Sequence, residues 1–431
     1  MLSLRRIFQP SQAVPDIYRS NFRNLYFDVA WFGVMQGTIL SFLQVYCARL
    51  GASPQQIGWV AAAPGLMNLL LSLPVGEAGK RLPPARTTRW TALITRSFYL
   101  LLVVMPFFLG NAPQMEIGAI IALILVLNIP GTVSVVMGNT FFAETVPTEY
   151  RGQVVATRNA LLAGTTMLAS LVSGQILNRM SFPAGYQVVF AIGLVGGLVS
   201  AWHLFQIRPL VPEAPVRLLP GLRRRRLPVG EAEAGGGSSM VNRMRATLRL
   251  DILRSPFGKV VLLMFLFYFS LFVGFPMGPV YQVNVLLYTD QMISFGTAIF
   301  YTVLFLGSTQ VGRLTRRFGY KPLAAVGVSL VGVSMGLFVV SYNLPILAVT
   351  NTVAGIGWAM INTGVINYIY ERTPDENRPA HLAWYNMAMN GAMLSGSIIG
   401  SNAAALFGLV PAMLTVAVLR ILAGVALLKS K

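Results

Sequence analysis

From residue 25 onward the chain alternates long apolar runs with short polar connections. Each run is about 20 residues long, enough for a helix to cross a bilayer core of about 30 Å. Their limits predict α1 over Leu25–Ala48, α2 over Pro54–Val75, α3 over Thr91–Leu109, α4 over Ile117–Phe142, α5 over Val154–Leu177 and α6 over Tyr186–Phe205. After a polar interruption come α7 over Val260–Tyr281, α8 from beyond Thr289 to about Val311, α9 over Leu323–Val340, α10 over Leu347–Tyr370, α11 over Ala380–Ala405 and α12 over Val410–Leu428. The connections carry their own signals. Arg49-Leu50-Gly51 closes α1, and Ser53-Pro54 opens α2 with serine as N-cap and proline as first helical residue. Thr289 holds the same place ahead of α8. Residues 1–22 are polar and are expected to form a cytoplasmic arm or an interfacial helix.

One polar stretch occurs twice. Glu144, Pro147, Glu149 and Arg151 recur 227 residues later as Glu371, Pro374, Glu376 and Arg378. The agreement runs on into the next helix, where Asn159 falls on Asn386, Gly164 on Gly391 and Ser170 on Ser397. At an offset of 236, Val75, Gly76, Lys80 and Arg81 fall on Val311, Gly312, Arg316 and Arg317. The chain therefore reads as two copies of one membrane unit. The expected fold is an all-α integral membrane protein, with twelve transmembrane helices in two pseudo-symmetric six-helix bundles over residues 1–206 and 257–431. Residues 207–256 join them. They hold Arg223 to Arg226 and a glycine-serine run at 235–239, the composition of a flexible tether lying near anionic lipid headgroups.

Composition narrows the function. Of 431 residues, 55% are hydrophobic and 11% charged, against about 25% charged in soluble domains. The net charge of +19 suggests nucleic acid at first, but Lys and Arg sit in alternate connections. Of 33 such residues only Arg49 and Arg179 fall at the opposite helix ends, which is the positive-inside pattern. It predicts both termini and the linker in the cytoplasm of a cell whose inner membrane holds the chain. The first run is too long for a cleaved signal peptide and reads as a retained anchor. Cys47 is the single cysteine and His203 and His381 the only histidines, so no metal centre or disulfide framework is expected. No phosphate-binding glycine loop is present. An enzyme, a cofactor and a nucleic-acid partner are not expected, and the chain is taken as a monomer.

Gly312, Arg317, Gly319 and Lys321 after α8, with Gly76 and Arg81 matching more loosely after α2, resemble the loop motif of the major facilitator superfamily. Glu144, Pro147, Arg151 and Gly152 after α4 resemble a second element of that family. The likeness covers almost the whole chain and implies alternating access, two bundles rocking about a central site. The family's loop carboxylate is replaced by Lys80 and Arg316. Glu144 and Glu371 are then candidate partners for Lys80, Arg81, Arg313, Arg316 and Arg317 in a cytoplasmic gate, with Arg151 and Arg378 beside them.

Charges within spans are expensive and therefore informative. Asp28 is the one acid expected inside a span. It reads either as a proton-coupling carboxylate or as a helix N-terminal acid near water. Arg158 either faces the central cavity or snorkels to the cytoplasmic surface, and Arg96 and Arg420 are expected to snorkel. Neutral polar and aromatic residues on the helices that line the family's cavity are the candidate substrate contacts: Gln36, Asn128, Trp358, Asn362, Trp384, Tyr385, Asn386 and Asn390. As a group they suggest a neutral or weakly amphipathic small molecule. Pro276, Gly278 and Pro279 mark a kink near the outer end of α7, a candidate extracellular gate. Neither the drug-antiporter nor the sugar-porter signature is intact. The expected function is secondary active transport of a small molecule. The alternative is a transporter-like sensor or scaffold that binds ligand without moving it.

Overall fold

The computed structural model describes residues 16–79, 81–209, 249–374 and 378–429; most of the basic linker and Lys80 lie outside them. The chain is a multi-pass membrane protein. Eleven helices among the described residues are long and apolar enough to cross a bilayer: α1 (Tyr18–Arg49), α2 (Pro54–Gly79), α3 (Pro84–Leu109), α4 (Pro113–Thr145), α5 (Thr148–Arg179), α6 (Ala184–Gln206), α7 (Pro256–Asn284), α8 (Asp290–Phe318), α9 (Tyr320–Val339), α10 (Leu344–Arg372) and α12 (Leu409–Lys429). The remaining long helix, α11 (Arg378–Phe407), runs 30 residues. It carries Asn386, Asn390, Ser395, Ser397, Ser401 and Asn402 among its apolar residues.

The helix starts follow the local signals. The Ser53 hydroxyl accepts from the Gln56 N–H at 3.3 Å while Gln56 Oε1 accepts from the Ser53 N–H at 2.8 Å, a reciprocal cap on α2. The Thr289 hydroxyl accepts from the Met292 N–H at 3.2 Å at the equivalent start of α8. Gly319 makes the sharp turn from α8 to α9 with φ +82°, a conformation open to glycine. The duplicated polar stretch ends α4. Arg151 reaches back and donates to the Ala143 and Val146 carbonyls at 2.8 and 3.0 Å, covering the last orphan acceptors of the helix.

Two helices depart from regularity. α1 contains a π-helical turn at Gln36–Leu40, where the Ser41 hydroxyl donates to the Gln36 carbonyl at 2.8 Å. α7 breaks between Pro256–Val273 and Met277–Asn284. Pro276 lacks the N–H that would continue the ladder.

The halves meet through α2 against α11 and α5 against α8. Each contact has a point of close approach. A Cβ on Gly58 of α2 would lie 2.2 Å from the Ser401 hydroxyl of α11, and one on Gly174 of α5 would lie 2.0 Å from the Ser294 hydroxyl of α8. The internal repeat relates these crossings. Gly58 and Ser294 are 236 residues apart, and Gly174 and Ser401 are 227 apart. Small residues let two backbones touch, which is how helices gain packing energy where lipid removes the hydrophobic drive.

The apolar core is shared at one end and divided at the other. Toward the end away from the basic loops, one cluster joins Phe42, Tyr46 and Phe190 of the first half to Met277, Tyr281 and Met413 of the second. Toward the basic end, Phe22, Leu25, Phe141 and Val154 form a cluster within the first half, and Phe257, Phe267 and Tyr368 belong to another within the second. The bundles are closed together at the far end and separate at the basic end.

Gly58→Val and Gly174→Val are each expected to destabilise the closed arrangement by about 1–3 kcal/mol through overpacking. Gly278→Ala, whose Cβ would meet nothing within 4 Å, is expected to change little. Thermal unfolding in detergent checks both. Equal midpoints for all three variants would show that the crossings do not hold the bundles.

Candidate functional site

The first half holds a buried charge cluster. Asp28 of α1 is 4% exposed. Its Oδ1 lies 3.4 Å from Arg96 Nη2 of α3 and its Oδ2 lies 3.5 Å from Arg158 Nη2 of α5. The Ser200 hydroxyl of α6 donates to Oδ1 at 2.7 Å. Arg96 does not snorkel. It is buried, with its guanidinium 5.7 Å from the Phe32 ring centroid. Arg158 is partly buried above the Phe142 ring. The expectation of snorkelling fails for Arg96 because an acid on another helix supplies the counter-charge that water would otherwise provide. The pairing is incomplete: Arg96 Nη1 and Arg158 Nε are buried without a hydrogen-bond partner among the described residues.

Arg420 does not snorkel either. It is buried and donates to the carbonyls of Ser270 at 3.0 Å, Leu271 at 2.7 Å and Val331 at 3.4 Å. Ser270 and Leu271 lie in the last turn before the break in α7, where carbonyls lose their intrahelical partners. Arg420 therefore caps the kink made by Pro276.

A cavity of about 420 Å³ lies between α1, α2, α3 and α4, and Phe275 of α7 and Met393 of α11 reach its lining. Arg96, Asn68, Asn128, Thr95 and Gln44 face it from the first half. Of the candidate contacts, Asn128 lines this cavity and donates to the Ile124 carbonyl at 2.7 Å. Gln36 donates to the Tyr301 hydroxyl of α8 at 2.9 Å, and Asn390 accepts from Asn68 at 3.2 Å. Both bonds cross between the halves. Tyr385 is buried and shares a hydrogen bond with Tyr268 at 2.6 Å. Trp358 and Trp384 pack against the apolar cluster of the second half, while Asn362 and Asn386 are exposed. The structure thus brings Gln36, Asn128 and Asn390 to the junction of the halves, with Asn386 one turn before Asn390 on α11, keeps Arg158 with Asp28 in the first half, and leaves Trp358, Trp384 and Tyr385 packed within the second.

The far end carries a polar clasp. Arg49 at the end of α1 meets Asp290 at the start of α8 at 3.1 Å and donates to the Tyr288 carbonyl at 2.6 Å. The Tyr186 hydroxyl of α6 donates to the same Asp290 oxygen at 2.7 Å. Close by, the Tyr46 hydroxyl donates to Glu116 Oε1 at 2.5 Å, and Tyr46 packs with Phe182, Tyr186 and Phe190. Glu116 is a second buried acid, because α4 begins at Pro113 rather than at Ile117. The signal for the clasp was Arg49, one of two cations on the side that otherwise lacks them. The second piece of α7, after Pro276 and bearing Gly278 and Pro279, packs against the end of α1 beside this clasp.

At the basic end, Arg81, Arg313, Arg316, Arg317, Glu371 and Arg378 are exposed and Glu144 is half-buried. Arg378 lies 5.9 Å from the Tyr370 ring centroid. Among the described residues no ion pair joins Glu144 or Glu371 to the basic residues of this end. Lys80, another member of the expected gate, lies outside the described residues. Among the described residues no cluster of metal-ligating side chains occurs.

Comparison with known proteins gives one family. The sequence model described as Major Facilitator Superfamily matches residues 29–289 and 260–430. The quinolone resistance protein NorA of Staphylococcus aureus is 25% identical over 143 residues, which cover 32% of this chain and 37% of NorA, so the chain spans little more than a third of that relative. Solved structures share the fold over nearly the whole chain. The nucleoside transporter NupG gives a TM-score of 0.67 at 13% identity, covering 95% of this chain and 99% of its own. The inward-open xylose transporter XylE from E. coli gives 0.64 at 16%, covering 96% and 95%. A bacterial homologue of the iron transporter ferroportin, in its inward-facing state, gives 0.67 at 11%, covering 97% and 100%.

Asp28→Ala leaves two guanidinium groups without their carboxylate inside the bundle. The expected loss is about 3–5 kcal/mol of stability, with part of it recovered when Arg96 is also changed to Gln. A double-mutant cycle on thermal unfolding checks this; additive losses would mean that the two groups do not interact.

Proposed function

The chain belongs to the major facilitator superfamily, and from that premise we propose that it is a secondary transporter moving a small molecule across the cytoplasmic membrane by alternating access. The observation that carries this reading is the divided core. One apolar cluster and the Arg49–Asp290 clasp join the halves at the far end, while each half has its own cluster at the basic end. The distribution of Lys and Arg supports placing the basic end in the cytoplasm, so this is the state open to the inside. The likeness to two inward-facing transporter structures accords with it.

In this reading the reverse state opens the clasp and brings Glu144 and Glu371 toward Lys80, Arg81, Arg313, Arg316 and Arg317. Arg151 holds the turn that carries Glu144, and Arg378 lies over the Tyr370 ring beside Glu371. Pro276, Gly278 and Pro279 give α7 the flexible point at which its outer piece leaves α1. Asp28 serves first as the counter-charge of Arg96 and Arg158. A coupling role for it requires substrate to release those two cations, so that its own charge changes during the cycle.

Gly152 of α5 and Gly312 of α8 lie at the basic end, and a Cβ at either meets nothing within 4 Å. Spin labels on Gly152→Cys and Gly312→Cys, in a Cys47→Ala background, are expected to report mainly a long distance in the parent chain. Arg49→Gln or Asp290→Asn is expected to move a measurable fraction, tenfold or more in the two-state ratio, to a shorter distance, since about 1.4 kcal/mol suffices for that shift. A single distance that no clasp substitution moves would favour the sensor or scaffold reading.

A further inference from the structure

Arg96 is the one charged residue on the lining of the 420 Å³ cavity. It is 9% exposed, its Nη2 is engaged by Asp28 at 3.4 Å, and its Nη1 is buried without a partner among the described residues. A guanidinium donor held in a low-dielectric site without an acceptor is unfavourable, and a ligand that supplies the acceptor recovers that loss. The charge count points the same way. Two guanidinium groups face one carboxylate, so the cluster keeps one positive charge in excess. One bound monoanion makes the assembly neutral, which lowers the penalty of holding it within the bilayer. The rest of the wall is mostly apolar, with Phe32, Met35 and Phe275 among it. A cavity of this size suits a small organic molecule with a few fixed polar contacts.

We propose that this cavity binds an amphipathic organic monoanion, its carboxylate taken by the Arg96 guanidinium, which turns its buried Nη1 outward to receive it, and its apolar body by Phe32, Met35 and Phe275. This replaces the neutral or weakly amphipathic small molecule expected from the sequence with a charged one, and its place in transport rests on the function proposed above. Asp28 is then a resident carboxylate that competes with the ligand for the same guanidinium. That gives the proposal a consequence that a purely structural ion pair lacks: removing the Asp28 charge strengthens anion binding although it weakens the fold.

The test uses the full chain in nanodiscs of neutral lipid, titrated with 1-naphthoate, with the uncharged 1-naphthamide and with the cation 1-naphthylmethylamine. The readout is the midpoint of thermal unfolding as a function of ligand concentration. The expected result is half-maximal stabilisation by naphthoate at a concentration about tenfold or more below that for the amide, and none by the amine. In Arg96→Gln the preference for acid over amide falls to about twofold or less. In Asp28→Asn the unliganded midpoint is lower, and naphthoate binds roughly three- to tenfold more tightly than in the parent. If Arg96→Gln does not fold, the Asp28→Asn comparison decides alone. Equal stabilisation by acid and amide, or an Asp28→Asn chain with unchanged or weaker affinity for naphthoate, overturns the proposal. Proteoliposome uptake of labelled naphthoate separates this inference from the transport reading. Binding without uptake keeps the site and removes transport of that anion. Uptake of the amide in a chain that shows no preference for the acid keeps transport and removes the anion site.

Discussion

Two helix crossings set how this molecule is put together. At each, a glycine of the first half lies against a serine of the second, Gly58 on Ser401 and Gly174 on Ser294, at distances that exclude any larger side chain. Both belong to the α2–α11 and α5–α8 contacts through which the halves meet. In a bilayer there is little hydrophobic drive to bring helices together, so contact distance and polar pairing decide which surfaces stay joined. The Arg49–Asp290 ion pair, the bonds from Tyr186 and the Gln36–Tyr301 bond add polar links to the same junction. With these contacts away from the basic end, the two apolar clusters at the basic end can separate without disturbing either bundle's own packing.

The scaffold is duplicated but the charges are not. Arg96 of α3 corresponds, at the offset of 236, to Gly332 of α9, and Gly332 packs against the stem of Arg420. Arg420 of α12 corresponds at 227 to Gly193 of α6. Each half thus places one buried arginine among its outer helices, but from opposite members of the pair. The uses differ. Arg420 is absorbed by backbone carbonyls at the α7 break, whereas Arg96 shares a carboxylate with Arg158, lines a cavity and keeps one buried donor without a partner among the described residues. Arg158 itself falls on Tyr385, which only hydrogen-bonds a neighbouring tyrosine. The first half carries the charge chemistry, and the second closes over it.

Much of the fold was legible because continuous apolar runs of the right length leave few alternatives. The repeat in the polar connections fixed the division into halves. The caps at Ser53 and Thr289 were visible as residue types in the right place. The kink at Pro276 was visible too, but the reason it is tolerated, Arg420 donating to carbonyls about 150 residues away in sequence, was not. The same gap accounts for Arg96. Within α3 nothing distinguishes a snorkelling arginine from a paired one, since the partner acid lies 68 residues earlier on another helix. Glu116 was missed by a boundary error of about one turn, α4 starting at Pro113. Local pattern gives elements; which charges find one another depends on how elements pack.

In the proposed cycle the junction of the halves is reached from the basic side in this state and from the other side when the far end opens. Sided thiol labelling of Asn386→Cys, exposed on α11, tests it most directly, in sealed vesicles and a Cys47→Ala background. The expected result is reaction with a membrane-impermeant maleimide only from the cytoplasmic face in the parent chain, with reaction from the opposite face appearing once Arg49 is changed to Gln. Labelling from the far side in the parent, or no change of sidedness on loss of the clasp, would contradict it.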